Sequence, residues 1–287
     1  MTSIVIPAYN EGPVIERCLE VLLRDCEKDE FEIVVVCNGC SDDTAQRARR
    51  FSDRVQVLEI PTASKTAALN LGDQYVTSFP RFYLDADVEL DAASVRDVAK
   101  LLGEGSEVLV ASPQAVVAVE HSSFLVRSFY KAWTALPYFR EDLIGSGVYA
   151  FSRAGRERFG RFPDIIADDE FARLSAKPAE RRACKSSTFT IHPPRSVWGL
   201  INIHTRARAG SYQLSRLFPE MARNNNTNAG RSLKVLATTP SLWLHAPAYL
   251  GVMYVAKFRA ERKLKKHQEA EWNRDVTSRQ GATVVAH

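Results

Sequence analysis

Cysteine is scarce in this 287-residue chain: five, an odd number that suits a reducing, cytosolic setting better than a disulfide framework. Cys37 and Cys40 do form a CxxC across Asn38-Gly39. No second ligand pair accompanies it for zinc and no thioredoxin-like domain surrounds it, so the two read as ordinary thiols in a tight turn. No basic, then apolar leader precedes the strand-like Ser3-Ile4-Val5-Ile6, which argues against a cleaved signal peptide. Long apolar runs are missing too. The longest candidate, Leu242 to Ala256, is too short and too interrupted to read as a membrane span. Charge of one sign is not in great excess. The net +4 does not by itself imply nucleic acid, although the basic residues collect toward the C-terminal end. No internal repeat and no long disordered linker is visible. What is left, 45% hydrophobic and 25% charged, is the composition of an ordinary globular protein with one large domain or two small ones.

Against that background Asp85-Ala86-Asp87 stands out. It ends a short apolar run, Arg81-Phe82-Tyr83-Leu84, that reads as a buried strand. Carboxylates at i and i+2 on extended chain point to the same side. A strand core would not choose them, because buried charges need partners. At a strand end they make a hard, oxygen-only site of the kind Mg²⁺ or Mn²⁺ prefers, with phosphate and water completing the shell. The pair therefore predicts a metal that holds a nucleotide diphosphate.

The first 110 residues alternate between strand and helix patterns. Ser3 to Pro7 predicts a strand, and Pro13 sits at a helix N1 position ahead of Ile15, Cys18, Leu19, Leu22 and Leu23. Phe31 to Val36 predicts a second strand. Asn38-Gly39 turns the chain, and Ser41 caps a helix running to about Phe51. Val55 to Ile60, a helix from about Lys65 to Val76, the strand into Asp85, a helix over 92–102 and a strand from Glu107 to Ala111 complete the series. Such a rhythm implies a parallel sheet covered by helices, with ligands beyond the carboxyl ends of its strands. Tyr9-Asn10, Asn38-Gly39 and Asp85-Asp87 all fall at those ends. From about 112 the rhythm changes. Residues 120–140 read as aromatic-rich helix, Val148 to Phe151 and residues 188–192 as strands, and Asn224 to Gly230 as a polar loop.

Taken in order, Ile4 to Glu11, Glu32 to Thr44, Lys65 with Ala68 to Gly72, Leu84 to Asp87, Gly145-Ser146-Gly147 and Asp168-Asp169 resemble a family 2 inverting glycosyltransferase of GT-A fold. The resemblance spans roughly residues 3–175. It implies an α/β protein with a mostly parallel sheet flanked by helices. Its expected divisions are a GT-A domain over 1–230 (nucleotide-binding half 1–111, acceptor-binding half 112–230) and a helical C-terminal extension over 231–287.

The same resemblance implies a nucleoside pocket lined by Pro7, Ala8, Tyr9 and Glu11, with Asn38 at the base. Lys65 stands near the donor phosphates, where a point charge is useful; an exposed lysine at a helix start is the plainer reading. Asp85, Ala86 and Asp87 hold the metal, Mg²⁺ or Mn²⁺, and the diphosphate. Asp168-Asp169 matches the family's acidic pair, with Asp169 as catalytic base and Asp168 tuning it; acids favoured at a helix N-terminus explain the same run. Arg206 and Arg208 resemble the later basic motif that grips diphosphate; a solvated basic face is the alternative. His192 and His204 are each either a third metal ligand or structural.

One departure concerns the base. The family often places a carboxylate where this chain has Cys37 followed by Asn38, which leaves guanine or thymine open beside uracil. The expected partners are a UDP- or GDP-sugar and an acceptor hydroxyl on a glycan, glycolipid or polyprenyl-linked carrier, with no nucleic acid. Two readings fit residues 242–266, where apolar and aromatic residues precede six basic ones: a core-packing helix, or an interfacial anchor on the inner face of the plasma membrane. Two other functions share parts of this pattern. A sugar nucleotidyltransferase would open with a glycine-rich, arginine-bearing loop, and Pro7 to Glu11 stands there instead. A non-catalytic sugar-nucleotide binding protein has no need of both acidic pairs.

Overall fold

The computed structural model describes residues 1–141, 146–225 and 229–265, with Lys265 described by its backbone alone. Gly145, part of the Asn224–Gly230 loop, Lys266 and the rest of the expected extension lie outside the described residues.

Eight strands form one sheet in the order β3-β2-β1-β4-β7-β6-β8-β5. They are β1 (Thr2–Ala8), β2 (Phe31–Asn38), β3 (Gln56–Ile60), β4 (Arg81–Leu84), β5 (Glu89–Leu90), β6 (Val110–Val117), β7 (Val148–Phe151) and β8 (Arg181–Ile191). β1 pairs in parallel with β2 and β4, and β2 with β3. This half matches the alternating pattern of the sequence. Beyond β4 the sheet is mixed: β7 runs antiparallel between β4 and β6, while β6 and β8 are parallel. A strand contributed by residues 148–151 therefore sits between β4 and β6, both of which precede it in sequence.

The strands read as alternating faces because successive side chains point to opposite sides. Ile4, Ile6, Ile33, Val35, Phe82 and Leu84 bury against one helical layer. That layer holds α1 (Gly12–Leu23), α2 (Thr44–Ala48) and α4 (Ala92–Leu101). Val5, Val34, Val36 and Tyr83 bury on the other face, against α3 (Lys65–Tyr75) and α8 (Asp168–Leu174). On that second face Asp73 of α3 is a charged anchor. It pairs with Arg81 at 2.8 Å and Arg156 at 2.5 Å, and the Tyr83 hydroxyl donates to it at 2.6 Å.

Boundaries differ from the sequence expectations in three places. The helix after Asn38-Gly39 has its N-cap at Asp43 rather than Ser41 and starts at Thr44, because Ser41 N–H donates to Asn10 while the Asp42 carboxylate accepts from Thr44 N–H. β6 starts at Val110 rather than Glu107 and continues to Val117. β8 begins at Arg181, well before 188, with an irregularity opposite Pro113/Gln114 where proline lacks a ladder donor. Short helices α5 (Phe124–Trp133), α6 (Pro137–Glu141) and α7 (Arg153–Arg156) follow the aromatic-rich stretch and β7. The C-terminal part is α9 (Val197–Leu217), α10 (Ala229–Thr238) and α11 (Ala246–Lys265). Val126, Phe129, Leu200, Ile201 and Val252 join α5, α9 and α11 through a small core of their own.

Candidate active site

A cleft of about 960 Å³ opens beyond the carboxyl ends of β1, β2 and β4, with α8 and α9 across it. Pro7, Tyr9, Glu11 and Asn38 line one end. Ala8 is not on the wall: its side chain packs in the core, and its carbonyl accepts from Cys40 Sγ at 3.3 Å. Asn38 is buried, and with its amide oriented to satisfy both ends it donates to the Ala8 carbonyl (2.9 Å) and accepts from Ser64 N–H (3.3 Å). Its amide thus ties the β2 end to β1 and to the loop before α3. The five thiols are free, and the CxxC is a turn with Cys37 in the core.

The acidic centre differs in backbone geometry from the sequence argument. β4 stops at Leu84, and Asp85 to Val88 form a tight turn closed by a Val88 N–H to Asp85 carbonyl bond of 3.3 Å. Asp85 and Asp87 both reach the cleft, but through this turn rather than through pleat alternation. The turn is clamped by the chain before β7. Asp85 N–H donates to the Gly147 carbonyl at 2.8 Å, and Gly147 has φ +112 with Val88 only 2.7 Å from where a Cβ would stand. A residue without a side chain is required there.

Lys65, in the first turn of α3, joins the two acidic segments. Its ammonium lies 2.7 Å from Asp85 Oδ1 and 3.1 Å from Asp168 Oδ1. The plainer reading of an exposed lysine does not hold, since the side chain is only 17% exposed. Burial works against the Lys65 charge, but Asp168, Asp85 and Asp169 outweigh it and hold its pKa above the ordinary lysine value. Burial also pushes the Asp85 carboxyl up to about 6; Lys65 opposes this, and Asp168 and Asp87 add repulsion. Three carboxylates thus crowd one cation.

Asp168 and Asp169 open α8 but have different surroundings. Asp168 is buried, with one oxygen on Lys65 and the other accepting from the Tyr149 hydroxyl at 3.0 Å. Asp169 is half-buried and lines the cleft, accepting from Ser146 N–H (3.1 Å) and from Glu170 N–H (2.8 Å). Both therefore occupy a helix N-terminus, as the dipole argument expected, and both line the cleft, Asp169 with the greater exposure.

Arg206 and Arg208 sit on α9 and line the same cleft. Gly210 lets α9 approach α8: a Cβ there would stand 2.9 Å from Ala167. His192 bonds to Glu89 at 2.7 Å, and Glu89 also pairs with Arg17 at 2.8 Å. His204 packs against Phe129 at a tilt of 51°, with centroids 4.8 Å apart, and burial pushes its pKa down to about 4, so it is neutral at pH 7. No group of three or more His, Cys, Asp or Glu that could hold a metal occurs among the described residues. Asp85 and Asp87 remain a two-carboxylate, oxygen-only donor set. That chemistry fits Mg²⁺ or Mn²⁺, which takes one or two carboxylates together with substrate phosphates and water.

Several participants had no local signal in the sequence. Tyr149, the backbone of Ser146 and the aromatic wall of Tyr130, Trp133 and Tyr249 join the site only because β7, α5 and α11 converge on it. The aromatic density of 120–140 marked that wall as unusual without placing it.

A sheet of this order, helical on both faces and opening its acidic cleft at the strand ends, is the GT-A architecture of nucleotide-sugar transferases. The chain belongs to glycosyl transferase family 2, whose sequence model matches residues 3–159, more than half of its length. Among curated relatives it is similar to the glycosyltransferase AglE of Haloferax volcanii, 36% identical over 90 residues, which is 30% of each chain. The matched stretch thus spans under a third of that relative. Among solved structures it resembles a mannosyltransferase from Pyrobaculum calidifontis in complex with GDP-Man and Mn²⁺, at TM-score 0.59 and 22% identity, covering 92% of this chain and 75% of that one. It also resembles glucosyl-3-phosphoglycerate synthase from Mycobacterium tuberculosis in complex with Mn²⁺, UDP and glucosyl-3-phosphoglycerate, at TM-score 0.53 and 19% identity, covering 80% and 82%.

Proposed function

We propose that this protein transfers a sugar, with inversion, from a nucleotide-diphosphate donor to an acceptor hydroxyl, using the cleft built around Lys65. The observation that carries the reading is the asymmetry of the acidic pair. Both line the cleft, but Asp168 is buried and tied by both oxygens to Lys65 and Tyr149, while Asp169 is more exposed and accepts from backbone N–H groups.

Pro7, Tyr9 and Glu11 hold the nucleoside, the aromatic ring by its apolar face and the carboxylate by accepting from ribose hydroxyls. Asn38 supports the base end by holding the two strand ends together. Lys65, Arg206 and Arg208 supply positive charge to the diphosphate; arginine's planar fork matches its oxygens. Asp85 and Asp87 would hold the divalent ion, Mg²⁺ or Mn²⁺, which supplies charge neutralisation for the departing nucleotide diphosphate. Asp169 takes the proton from the acceptor hydroxyl. The oxygen attacks the anomeric carbon on the side away from the diphosphate, so one bond forms as the other breaks and the configuration inverts. Ser146 N–H keeps the Asp169 carboxylate aimed at the cleft.

Residues 1–230 form the transferase unit in this reading, and residues after 230 the extension. An acceptor on a lipid carrier and a peripheral position at the inner membrane face belong to the same reading. Among the described residues no helix is long and apolar enough to cross a membrane. Family membership and the Mn²⁺-bound, nucleotide-sugar-bound structural relatives support the donor class and a divalent ion. The test is incubation of labelled UDP- and GDP-sugars with the protein and Mn²⁺, with product analysis by NMR. Transfer or slow donor hydrolysis with an inverted anomeric centre is expected. Retention of configuration, or release of pyrophosphate, would refute the proposal.

A further inference from the structure

The outer side of α11 is apolar where a soluble helix should be polar. Val252, Ala256 and Ala260 bury against α5 and α9. The opposite side carries Leu250, Tyr254 and Phe258 at successive i, i+4 steps, with Tyr254 72% exposed. Trp243 and Leu244, just before the helix, are 61% and 74% exposed. Phe124 and Leu125 at the start of α5, and Trp198 at the start of α9, are exposed on the same helical layer. Apolar exposure concentrated in this way marks an interaction surface.

Charge says what the surface meets. From Ala246 to Leu264, along α11, the one acid is Glu261, against Lys257, Arg259, Arg262 and Lys263. Glu261 is occupied by Lys257 and the Tyr212 hydroxyl. The two arginines of α11 are held beside aromatic rings: Arg259 lies 4.5 Å from the Trp198 centroid and Arg262 4.6 Å from that of Phe258. A second copy of the chain fits poorly. A two-fold contact joins a patch to itself, and here it would set cation against cation with no acid to pair them. Aromatic and aliphatic tips flanked by Lys and Arg suit an anionic bilayer, into whose headgroup layer such a helix lies with its apolar face down.

We propose that the outer face of α11, with the starts of α5 and α9, docks this protein reversibly onto anionic lipid. The other flank of α11 is already part of the cleft, since Tyr249 and Met253 line it. A helix lying in the headgroup layer on one side therefore walls the active-site cleft on the other. This deepens the transferase reading by making the acceptor a membrane lipid or lipid-linked sugar, and it rests on that reading only for the identity of what enters the cleft.

Vesicle co-sedimentation of the full chain, with tryptophan fluorescence, is the test. Phosphatidylcholine vesicles containing phosphatidylserine should bind it at low salt with a blue shift, and pure phosphatidylcholine much less. The double variants Tyr254→Ser/Phe258→Ser and Lys257→Glu/Arg262→Glu should each lower partitioning by about tenfold or more. Their melting temperatures and their hydrolysis of soluble donor should stay as in the wild type, because these side chains lie outside the core and the donor site. Absence of binding at low salt, or binding unchanged in both variants, overturns the proposal. So does a concentration-dependent dimer without lipid that the same variants abolish. Failure of the transferase reading would show separately, as no turnover of donor whether or not vesicles bind.

Discussion

Replacing Asp169 by asparagine separates proton removal from everything else that residue does. The new side chain has nearly the same size and keeps a carbonyl oxygen for the Ser146 N–H. It forfeits one acceptor, so the Glu170 N–H loses its partner, at a cost of about 0.5–1.5 kcal/mol. Losing a negative charge at the start of α8 adds about 0.3–1 kcal/mol. In a chain of this size each kcal/mol lowers the melting temperature by about 2–4 °C, so a modest fall is expected. Turnover should fall much further, by about 10²–10⁴, the usual range for a lost general base. That corresponds to about 2.7–5.5 kcal/mol of transition-state stabilisation. Donor affinity, read by calorimetry with Mn²⁺, should be nearly unchanged, because Asp169 has no direct ion pair with Lys65. Asp168→Asn should give the opposite pattern. It removes a buried charge facing Lys65 and Tyr149, so stability should suffer more and turnover at saturation less. Near-normal turnover of Asp169→Asn at saturating donor and acceptor would refute the assignment, and Asp168 or Glu170 would then be tested as the base.

Asp87→Ala should weaken donor binding strongly in Mn²⁺ and little in its absence; equal affinities for wild type and variant in Mn²⁺, measured by calorimetry, would remove Asp87 from the metal site. Asp73→Ala leaves Arg81 and Arg156 without their shared anion on the buried face of α3, and urea unfolding should show a loss of about 3–5 kcal/mol; a loss under 1 kcal/mol would mean the cluster is compensated elsewhere. His204 has its folded pKa depressed to about 4 from the ordinary value near 6.5, so the unfolded state binds the extra proton in that window. Stability should therefore be complete above about pH 6.5 and decline as pH falls toward 4, and His204→Phe should flatten that part of the profile; an unchanged slope would refute the link.

The site concentrates three acids around Lys65 because sheet order, not local sequence, brings their segments together. Lys65 comes from the helix after β3, Asp85 from the end of β4, and Asp168 and Asp169 from the start of α8. An arrangement with one cation among three carboxylates is short of positive charge. A divalent ion, and the Arg206 and Arg208 guanidiniums that line the same cleft, would offset that shortage.

What the sequence by itself determined is what local periodicity can encode. The alternation of Ile4, Val5 and Ile6 and of Phe82, Tyr83 and Leu84 marked strands with two buried faces, and the helical spacing of Ile15, Cys18, Leu19 and Leu22 marked α1. Ordered along the chain, with the acidic pairs and Lys65 between them, these segments were enough to indicate the family and the end of the sheet where the cleft opens. Tertiary structure decided the rest. β7 enters antiparallel between β4 and β6, a pairing set by long-range hydrogen bonds that no local pattern records. The Asp85–Asp87 pair reaches the cleft by a turn because Gly147 clamps it from a segment sixty residues away in sequence. Asp168 and Asp169 are chemically identical neighbours, and only the packing of Tyr149 and Lys65 on one side makes the first a buried anchor and leaves the second more exposed in the cleft. A helix turns adjacent residues about 100° apart, so adjacent identical residues meet different surroundings, and those surroundings exist only once the distant strands and helices have packed.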